Sequence, residues 1–367
     1  MPIVHQHGLC SPLADKRGKA PSHTEILAAD QRRVEYIHRR QSETTGRVRP
    51  KRAATPIQLQ SRAPSTPTTL ASAPSHCQPC VAYCYRQQEP LFSPAKSSTY
   101  ANISCSSSYC DDLDIRGCTG GHCLYEVQYG DGSFTIGFYA HETLTLAKDV
   151  VKNRGKFGRS AGLMGLGRGK TSLPVQTYDK YMGVFASCLP AKASGTTGFL
   201  EFGTDAAATN TRLTPMMIGK GETFYYVGLT GIEVGGHLLS IPESVFSTAG
   251  ALMDSSTAIT RLPPSVYPPL RSAFAKDMER LGYKKAPAFK ILDTCYNLTG
   301  QGSIVLPAVS LVFQGGASLD VHPSGILYVL DVSQACLAFA PNDDDTAMAI
   351  IGNTQQKTYN VLYELGN

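Results

Sequence analysis

The chain has 367 residues and contains no tryptophan, and charged residues make up only 17% of it. No stretch approaches the roughly 18 to 20 consecutive apolar residues that a membrane-spanning helix needs. The first residues, Met1 to His7, lack the apolar core of a secretory signal peptide. These absences exclude a membrane span and leave no targeting segment visible.

The length suits two domains, and the composition favours a globular, turn-rich, mainly β protein, with 42% hydrophobic residues and 34 glycines. There are eleven cysteines, seven of them between Cys77 and Cys123. Such a cluster indicates disulfides and an oxidising compartment. Because no signal peptide precedes it, we expect that the chain lacks its true start.

Positive charge is concentrated near the N-terminus. Residues 1–62 hold 12 Lys or Arg and 5 Asp or Glu, whereas the remaining residues hold 22 and 24. Three interpretations are open: a solvated basic tail, a nucleic-acid-binding segment, or a leader that covers an acidic cleft. No recognition motif supports nucleic-acid binding. A leader of the third kind would be released by acid, since protonated carboxylates bind cations weakly.

Local patterns predict one early helix and then many strands. Ser22 and Glu25 have capping-box spacing, which predicts a helix start. Residues 41–75 are rich in Ser, Thr, Pro and Arg and are typical of a linker. From Cys77 onward, short alternating runs between Gly, Asp and Asn predict strands and hairpins. Apolar residues at helical spacing predict a further helix over residues 264–280.

Asp254 is the strongest candidate for chemistry. Three apolar residues precede it, and Ser255, Ser256 and Thr257 follow. An apolar strand that runs into a carboxylate and a hydroxyl-rich turn can hold an acid at the floor of a cleft. Two such carboxylates can share one proton and activate a water molecule. Only one such motif is found in this sequence.

A faint internal duplication shows where the other motif should lie. Residues 163–167 resemble residues 350–353, with two apolar residues before a Gly in each case. Asp254 lies 98 residues before Gly352. The same distance before Gly165 is Pro67, and no acidic residue lies near it.

Together these motifs resemble the plant pepsin-like aspartic proteases of the nepenthesin type. Residues 5–13 are similar to the propeptide of that family, residues 77–123 to its cysteine-rich insert, and residues 129–133 to the flap that closes over substrate. The resemblance implies an all-β, bilobal pepsin-like fold with an incomplete N-terminal lobe. It also implies a propeptide-like segment and linker over 1–75, an N-terminal lobe over 76–210 and a C-terminal lobe over 211–367.

The resemblance assigns roles to particular residues. Asp254 would be catalytic, with Ser255 and Thr257 holding its geometry. Cys295 would pair with Cys336. The flap residues would be Tyr129, Gly130 and Asp131. The family implies peptide or protein substrates, no cofactor, no metal, no nucleic acid, a monomer, and a secreted or vacuolar location, with two glycosylation sequons at Asn102 and Asn297.

This chain departs from the family pattern at several points. The first Asp-Thr-Gly-Ser and its nearby Trp should precede Cys77 but are absent. Ser256 replaces the usual Gly, which would place a Cβ where backbone packs tightly. The sequence ends at Asn367, before the last strand and last Cys of the family. That missing Cys should pair with Cys188, and with seven insert cysteines two thiols are expected to remain unpaired.

Three functional interpretations follow. The chain is an aspartic endopeptidase that is impaired because it has one catalytic Asp, a non-catalytic binding protein like the cereal xylanase inhibitors of this fold, or a truncated product without function. A zinc site at Cys77 and Cys80 is a weaker alternative to disulfides, because the other cysteines do not supply a matching pair.

Overall fold

A computed structural model describes residues 2–4, 21–44, 94–128, 134–143, 164–190, 197–204, 211–217 and 223–366. The predicted flap residues Tyr129, Gly130 and Asp131 lie outside these ranges, as do Cys77 and Cys80. Within the described ranges, no helix is both long and apolar enough to cross a membrane.

Two long helices and six short ones are described. The long helices are α1 (His23–Thr44) and α6 (Tyr267–Arg280). The short ones are α2 (Ser108–Asp111), α3 (Leu173–Gln176), α4 (Tyr178–Tyr181), α5 (Glu243–Ala249), α7 (Pro323–Ile326) and α8 (Asn353–Gln356).

Strands dominate the rest of the described chain. Before residue 205 they are β1 (Pro2–Val4), β2 (Ala101–Asn102), β3 (Arg116–Thr119), β4 (His122–Gln128), β5 (Phe134–Phe138), β6 (Ala140–His141), β7 (Val184–Cys188) and β8 (Thr197–Phe202). In the second half they are β9 (Tyr226–Val227), β10 (Leu229–Val234), β11 (His237–Leu238), β12 (Ala251–Met253), β13 (Thr260–Leu262), β14 (Lys284–Ala286), β15 (Cys295–Asn297), β16 (Val309–Phe313), β17 (Ser318–Asp320), β18 (Leu327–Asp331), β19 (Gln334–Leu337), β20 (Phe339–Pro341), β21 (Ala349–Ile351) and β22 (Asn360–Glu364).

These strands form several small sheets rather than one large one. Three sheets lie wholly in the second half, with strand orders β11-β10-β16-β17, β20-β13-β21-β12-β9 and β14-β15-β19-β18. The sheet β1-β8-β7-β22 instead joins strands from the beginning, middle and end of the chain. The all-β fold class is confirmed. The predicted domain bounds stay a prediction.

The N-terminal helix begins where the capping box predicts. The Glu25 carboxylate accepts hydrogen bonds from the Ser22 amide and hydroxyl at 2.8 Å each, and the Ser22 hydroxyl accepts one from the Glu25 amide at 3.3 Å. These bonds satisfy amides that would otherwise lack partners at a helix N-terminus. The resulting α1 runs for 22 residues.

The main core lies in the second half of the chain. Helix α6 buries Tyr267, Leu270, Phe274 and Met278 against β10 and β20, in a cluster of buried side chains between residues 227 and 351. Their spacing matches one face of a helix, as the sequence predicts. This core supports the five-stranded sheet that carries Asp254.

The described part of the cysteine-rich insert contains two disulfides. Cys105 pairs with Cys118, and Cys110 pairs with Cys123, around the sheet β3-β4-β5. The third disulfide joins Cys295 on β15 to Cys336 on β19, which are direct neighbours across the sheet. This last pair is the one that the resemblance implies.

Candidate active site

Asp254 lies where β12 ends, on a turn that leads back into β13. Ala251 and Leu252 are fully buried between β21, which runs parallel to β12, and β9, which runs antiparallel to it. The Asp254 amide donates to the Ile351 carbonyl at 3.1 Å. The apolar run therefore anchors the strand, and the carboxylate is fixed at its end.

Gly352 closes the turn from the other side. A Cβ at Gly352 would come within 2.7 Å of the Ala258 carbonyl oxygen, so the backbone there approaches too closely for any side chain. The Asn353 amide donates to the Thr257 carbonyl at 2.6 Å, and its side-chain amide donates to the Ser255 carbonyl at 3.0 Å. The apolar-apolar-Gly motif of the sequence thus braces the Asp254 turn.

The Asp254 carboxylate is buried and accepts bonds from its own turn. The Thr257 hydroxyl donates to Oδ2 at 2.6 Å, and the Ser256 amide approaches Oδ1 at 3.4 Å. Ser255 and Ser256 themselves are exposed. The crowding expected from a Cβ at position 256 is therefore not seen, because this side chain points to solvent.

The remaining acceptor positions of Asp254 are occupied by Arg33 from helix α1. Arg33 Nε donates to Oδ2 at 3.1 Å, and Nη2 donates to Oδ1 at 3.0 Å. Such two-pronged contacts are among the stronger ion pairs in proteins. The side chains are 25% and 9% exposed, respectively. Burial disfavours the guanidinium charge, but Asp254 outweighs that effect and raises the pKa of Arg33.

A second ion pair anchors α1 three residues earlier, with the charges reversed. Arg261 Nη2 on β13 donates to Asp30 Oδ2 at 2.7 Å, and the two side chains are 2% and 1% exposed. The amides of Ala258 and Ile259 also donate to Asp30. Burial raises the pKa of Asp30, while Arg261 and these amides oppose the increase.

The apolar stripe of α1 packs on the same region. Leu27 joins a buried cluster with Ile259, Cys295 and Cys336. Val34 and Ile37 join another cluster, whose further buried members are Tyr226, Leu252, Met348 and Ile350. The helix therefore contacts the strands on both sides of the Asp254 turn.

The structure brings together Asp254 and Thr257 among the residues that the sequence predicts for the site. In the part of the chain described, the groups that hydrogen-bond to the Asp254 carboxylate are Arg33, Thr257 and the Ser256 amide, and none of them is a carboxyl. The same part shows no cluster of three or more His, Cys, Asp or Glu that could hold a metal ion. The flap prediction cannot be placed, since its residues lie outside the described ranges.

Sequence reasoning missed Asp30, Arg33, Arg261 and Tyr363. Burial and the nearby Asp254 charge raise the pKa of Tyr363, which stacks on Phe185 at 4.8 Å between ring centres. One signal was available for Asp30. It interrupts an apolar helical stripe at positions 27, 34 and 37, and a buried charge in such a stripe needs a partner of opposite charge.

Thr257→Val should destabilise the protein by about 1.5–3 kcal/mol, because it removes a buried hydroxyl that donates to a charged group while keeping the shape of the side chain. Ser255→Ala should change the free energy of unfolding by less than about 0.5 kcal/mol, since that side chain is exposed. Urea titrations of both variants measure the difference. Equal effects would contradict the conclusion that the Thr257 side chain supports Asp254 whereas the Ser255 side chain does not.

Cys188 on β7 is the free cysteine of the described residues. Burial raises the pKa of its thiol, so little thiolate is present near neutral pH. We expect slow labelling by a thiol reagent in the native protein and fast labelling in denaturant, with one equivalent lost in Cys188→Ser. No loss in that variant would mean that Cys188 is already bonded. Four of the seven insert cysteines pair with each other, and the other three lie outside the described residues. The second unpaired thiol, expected among the insert cysteines, therefore stays a prediction.

Comparison with known proteins agrees with this architecture. Residues 75–204 match the family model described as "Xylanase inhibitor N-terminal", and residues 224–367 match "Xylanase inhibitor C-terminal". In the crystal structure of basic 7S globulin from soybean, 82% of the chain aligns with 77% of this one, with a TM-score of 0.55 and 20% identity, which supports the fold alone.

Sequence relatives carry the comparison further. An aspartyl protease family protein of Arabidopsis thaliana is 40% identical over 99% of this chain and 84% of its own length. The aspartic proteinase nepenthesin-2 of Nepenthes gracilis is 33% identical over 80% of this chain and 69% of its own length. With the Asp254 turn and its Gly352 brace in place, the chain belongs to the plant pepsin-like aspartyl protease family.

Proposed function

We propose that this chain is an aspartic-endopeptidase homologue whose own catalytic power is impaired. The observation that carries the proposal is the state of Asp254, whose oxygens are bonded by Arg33 and Thr257, with no carboxyl bonded to them in the part of the chain that the structure describes. The shared-proton pair of this chemistry needs two carboxyl groups close together. A single carboxylate that is paired with a guanidinium cannot form it.

An aspartic-protease site with two carboxyls carries out peptide hydrolysis by acid–base catalysis. Two carboxyls polarise a water molecule, which attacks the scissile carbonyl, and one of them returns a proton to the leaving nitrogen. Asp254 can supply one of these groups, held by Thr257. Acid–base catalysis by a positioned group contributes about 10²- to 10⁴-fold to the rate. We therefore expect activity lower by at least that factor than in a relative that has both carboxyls.

Cleavage of a denatured protein at acid pH tests this proposal. The full chain should cleave at least about 100-fold more slowly than nepenthesin-2 under the same conditions. Asp254→Asn should leave any residual rate unchanged. Cleavage at a rate comparable to that of nepenthesin-2, blocked by pepstatin and lost in Asp254→Asn, would overturn the proposal.

A second candidate is a non-catalytic binding protein. It is favoured by both matching family models, whose descriptions name xylanase inhibitors. Under this alternative the chain would bind a glycoside hydrolase without any role for the Asp254 carboxylate. A xylanase assay with increasing amounts of the chain tests it, and Asp254→Asn should then inhibit as well as the original chain does.

The three disulfides of the described residues support passage through an oxidising compartment. We therefore propose that the protein enters the secretory pathway, with an extracellular or vacuolar destination. Asn102 and Asn297 are both exposed and therefore accessible for glycosylation. Treatment of the secreted protein with a glycosidase that removes N-linked sugars should increase its electrophoretic mobility.

A further inference from the structure

We propose that the Cys105–Cys118 disulfide of the insert, the outer disulfide, is a reductive modification site. An external dithiol opens it while the Cys110–Cys123 disulfide, the inner disulfide, stays closed. The reductant is a small molecule or a protein that carries two neighbouring thiols. This inference goes beyond the proposed function and does not depend on Asp254. It rests on the different exposure of two disulfides that have the same sequence separation of 13 residues.

The two disulfides differ in their access to solvent. Cys118 lies on β3 and is exposed, and Cys105 is half-buried. Cys110 and Cys123 are 2% and 0% exposed and lie in the buried cluster that contains Tyr125. A thiolate must reach a disulfide sulfur in order to attack it, so the rate of exchange depends on access. Of the two, the outer disulfide therefore reacts without prior opening of the insert.

Backbone pairing keeps the insert in place after the outer disulfide opens. Cys118 on β3 is directly opposite Cys123 on β4, within a ladder of four residue pairs. The Cys105 amide donates to the Gly121 carbonyl at 3.1 Å, and the Cys123 amide donates to the Ile103 carbonyl at 2.8 Å. None of these contacts needs the outer sulfur atoms. Together with the inner disulfide, they should preserve the fold of the insert after reduction.

The reduction is a two-step thiol–disulfide exchange. A thiolate of the reductant attacks Cys118 Sγ and forms an S–S bond with it, while the bond to Cys105 breaks and Cys105 leaves as a thiolate that takes up a proton. The second thiolate of the reductant then attacks its own partner sulfur, and Cys118 leaves and is protonated. Two electrons and two protons pass to the protein, and the dithiol becomes a disulfide. Cys118 is the residue attacked because it is the more exposed of the two.

Opening the outer disulfide loosens a contact between the insert and the rest of the chain. The segment between Cys110 and Cys118 carries Asp112, whose Oδ1 accepts from Lys170 Nζ at 2.7 Å. While both disulfides are closed, this segment is cross-linked at both ends, and after reduction it is cross-linked at Cys110 alone. A segment that is released at one end gains conformational freedom, which opposes the contacts that it makes. The modification should therefore weaken the Asp112–Lys170 pair.

Stepwise reduction of the full chain tests the proposal. Free thiols are first blocked with N-ethylmaleimide under native conditions. Dithiothreitol is then added, and new thiols are trapped with iodoacetamide at intervals and located by peptide mass spectrometry. Cys105 and Cys118 should become labelled together, at least about 10-fold faster than Cys110 and Cys123. The circular dichroism should stay unchanged during this first phase.

A second experiment identifies the sulfur that is attacked and the source of the reductant. A thioredoxin-type protein whose second active-site cysteine is replaced by serine cannot complete the exchange, so it stays attached to its target. We expect it to be trapped on Cys118, which assigns a protein dithiol as the reductant. Reduction by dithiothreitol without trapping assigns a small dithiol instead. Trapping on Cys105 would contradict attack at Cys118.

Labelling of Lys170 by acetic anhydride measures the structural effect. Reduction should increase the labelling rate about 2- to 5-fold, the range expected when a surface ion pair is lost. Cys105→Ser/Cys118→Ser should show the higher rate with or without dithiothreitol. The control Cys188→Ser, which changes the free cysteine on β7, should respond to dithiothreitol as the original chain does.

Three results would overturn the proposal. The first is reduction of the outer and inner disulfides at equal rates. The second is loss of the circular dichroism of the folded chain as soon as the outer disulfide opens. The third is an unchanged labelling rate of Lys170 in Cys105→Ser/Cys118→Ser. None of these measurements uses proteolytic activity, so failure here and failure of the proposed function can be told apart.

Discussion

Asp30→Ala should lower the free energy of unfolding by about 3–5 kcal/mol, the usual cost of leaving one member of a buried ion pair without its partner. Arg261 would keep its charge in a site where its side chain is 2% exposed. The amides of Ala258 and Ile259 would lose their acceptor in the same step. A shift of the urea midpoint at neutral pH measures the loss.

Glu35→Ala is the matched control for this prediction. Glu35 lies on the same helix but on its exposed side, where it accepts from Gln31 at 3.2 Å. Its removal should change the free energy of unfolding by less than about 0.5 kcal/mol. The double variant Asp30→Ala/Arg261→Met should recover part of the loss, because the buried cation is gone. A change below 1 kcal/mol in Asp30→Ala alone would contradict the anchoring role of Asp30.

Removing the Cys295–Cys336 disulfide should have the next largest effect. The cross-link closes a loop of 41 residues in the unfolded chain, so its loss in Cys295→Ala/Cys336→Ala should destabilise the protein by about 3–4 kcal/mol in the chain-entropy account. Both cysteines are buried in the cluster that receives Leu27. We therefore expect the packing of α1 through Leu27 to weaken together with the sheet β14-β15-β19-β18.

Thermal unfolding with and without a reducing agent checks this prediction. The double variant should have a lower melting temperature than the oxidised protein. Reducing agent should lower the melting temperature of the original chain toward that of the double variant. Because reducing agent also opens the insert disulfides, a second variant, Cys110→Ala/Cys123→Ala, measures their separate contribution. Cys188→Ala removes a cysteine outside any of the three disulfides and should melt close to the original temperature. Equal melting of oxidised protein and double variant would refute the stabilising role.

Much of the fold followed from patterns that span only a few residues. The capping box at Ser22 and Glu25 predicts the start of α1, since its hydrogen bonds join residues three apart. The helical spacing of apolar residues predicts α6. The position of the Asp254 turn is predicted by the apolar run before Asp254 and by the two apolar residues before Gly352. Both are local patterns typical of a buried strand that ends in a tight turn.

The contacts at the site were not predictable in the same way. Arg33 and Asp254 are separated by 221 positions, and Asp30 and Arg261 by 231. Nothing local shows which of several arginines on α1 will face a carboxylate; that depends on how the helix is oriented on the sheet. The insert disulfides pose the same difficulty, because even cysteines at equal spacing allow several pairings.

The sheet β1-β8-β7-β22 has a consequence for how the chain folds. Its pairings join Pro2 to Phe199 and Val184 to Glu364, so its contacts have very large sequence separation. Loop-closure entropy must be overcome before such contacts form, which slows folding. During synthesis, β7 has no partner on its β22 side until residues 360–364 leave the ribosome, and until then its edge stays open to pairing with another chain. Chaperone demand should therefore persist until β22 has been made.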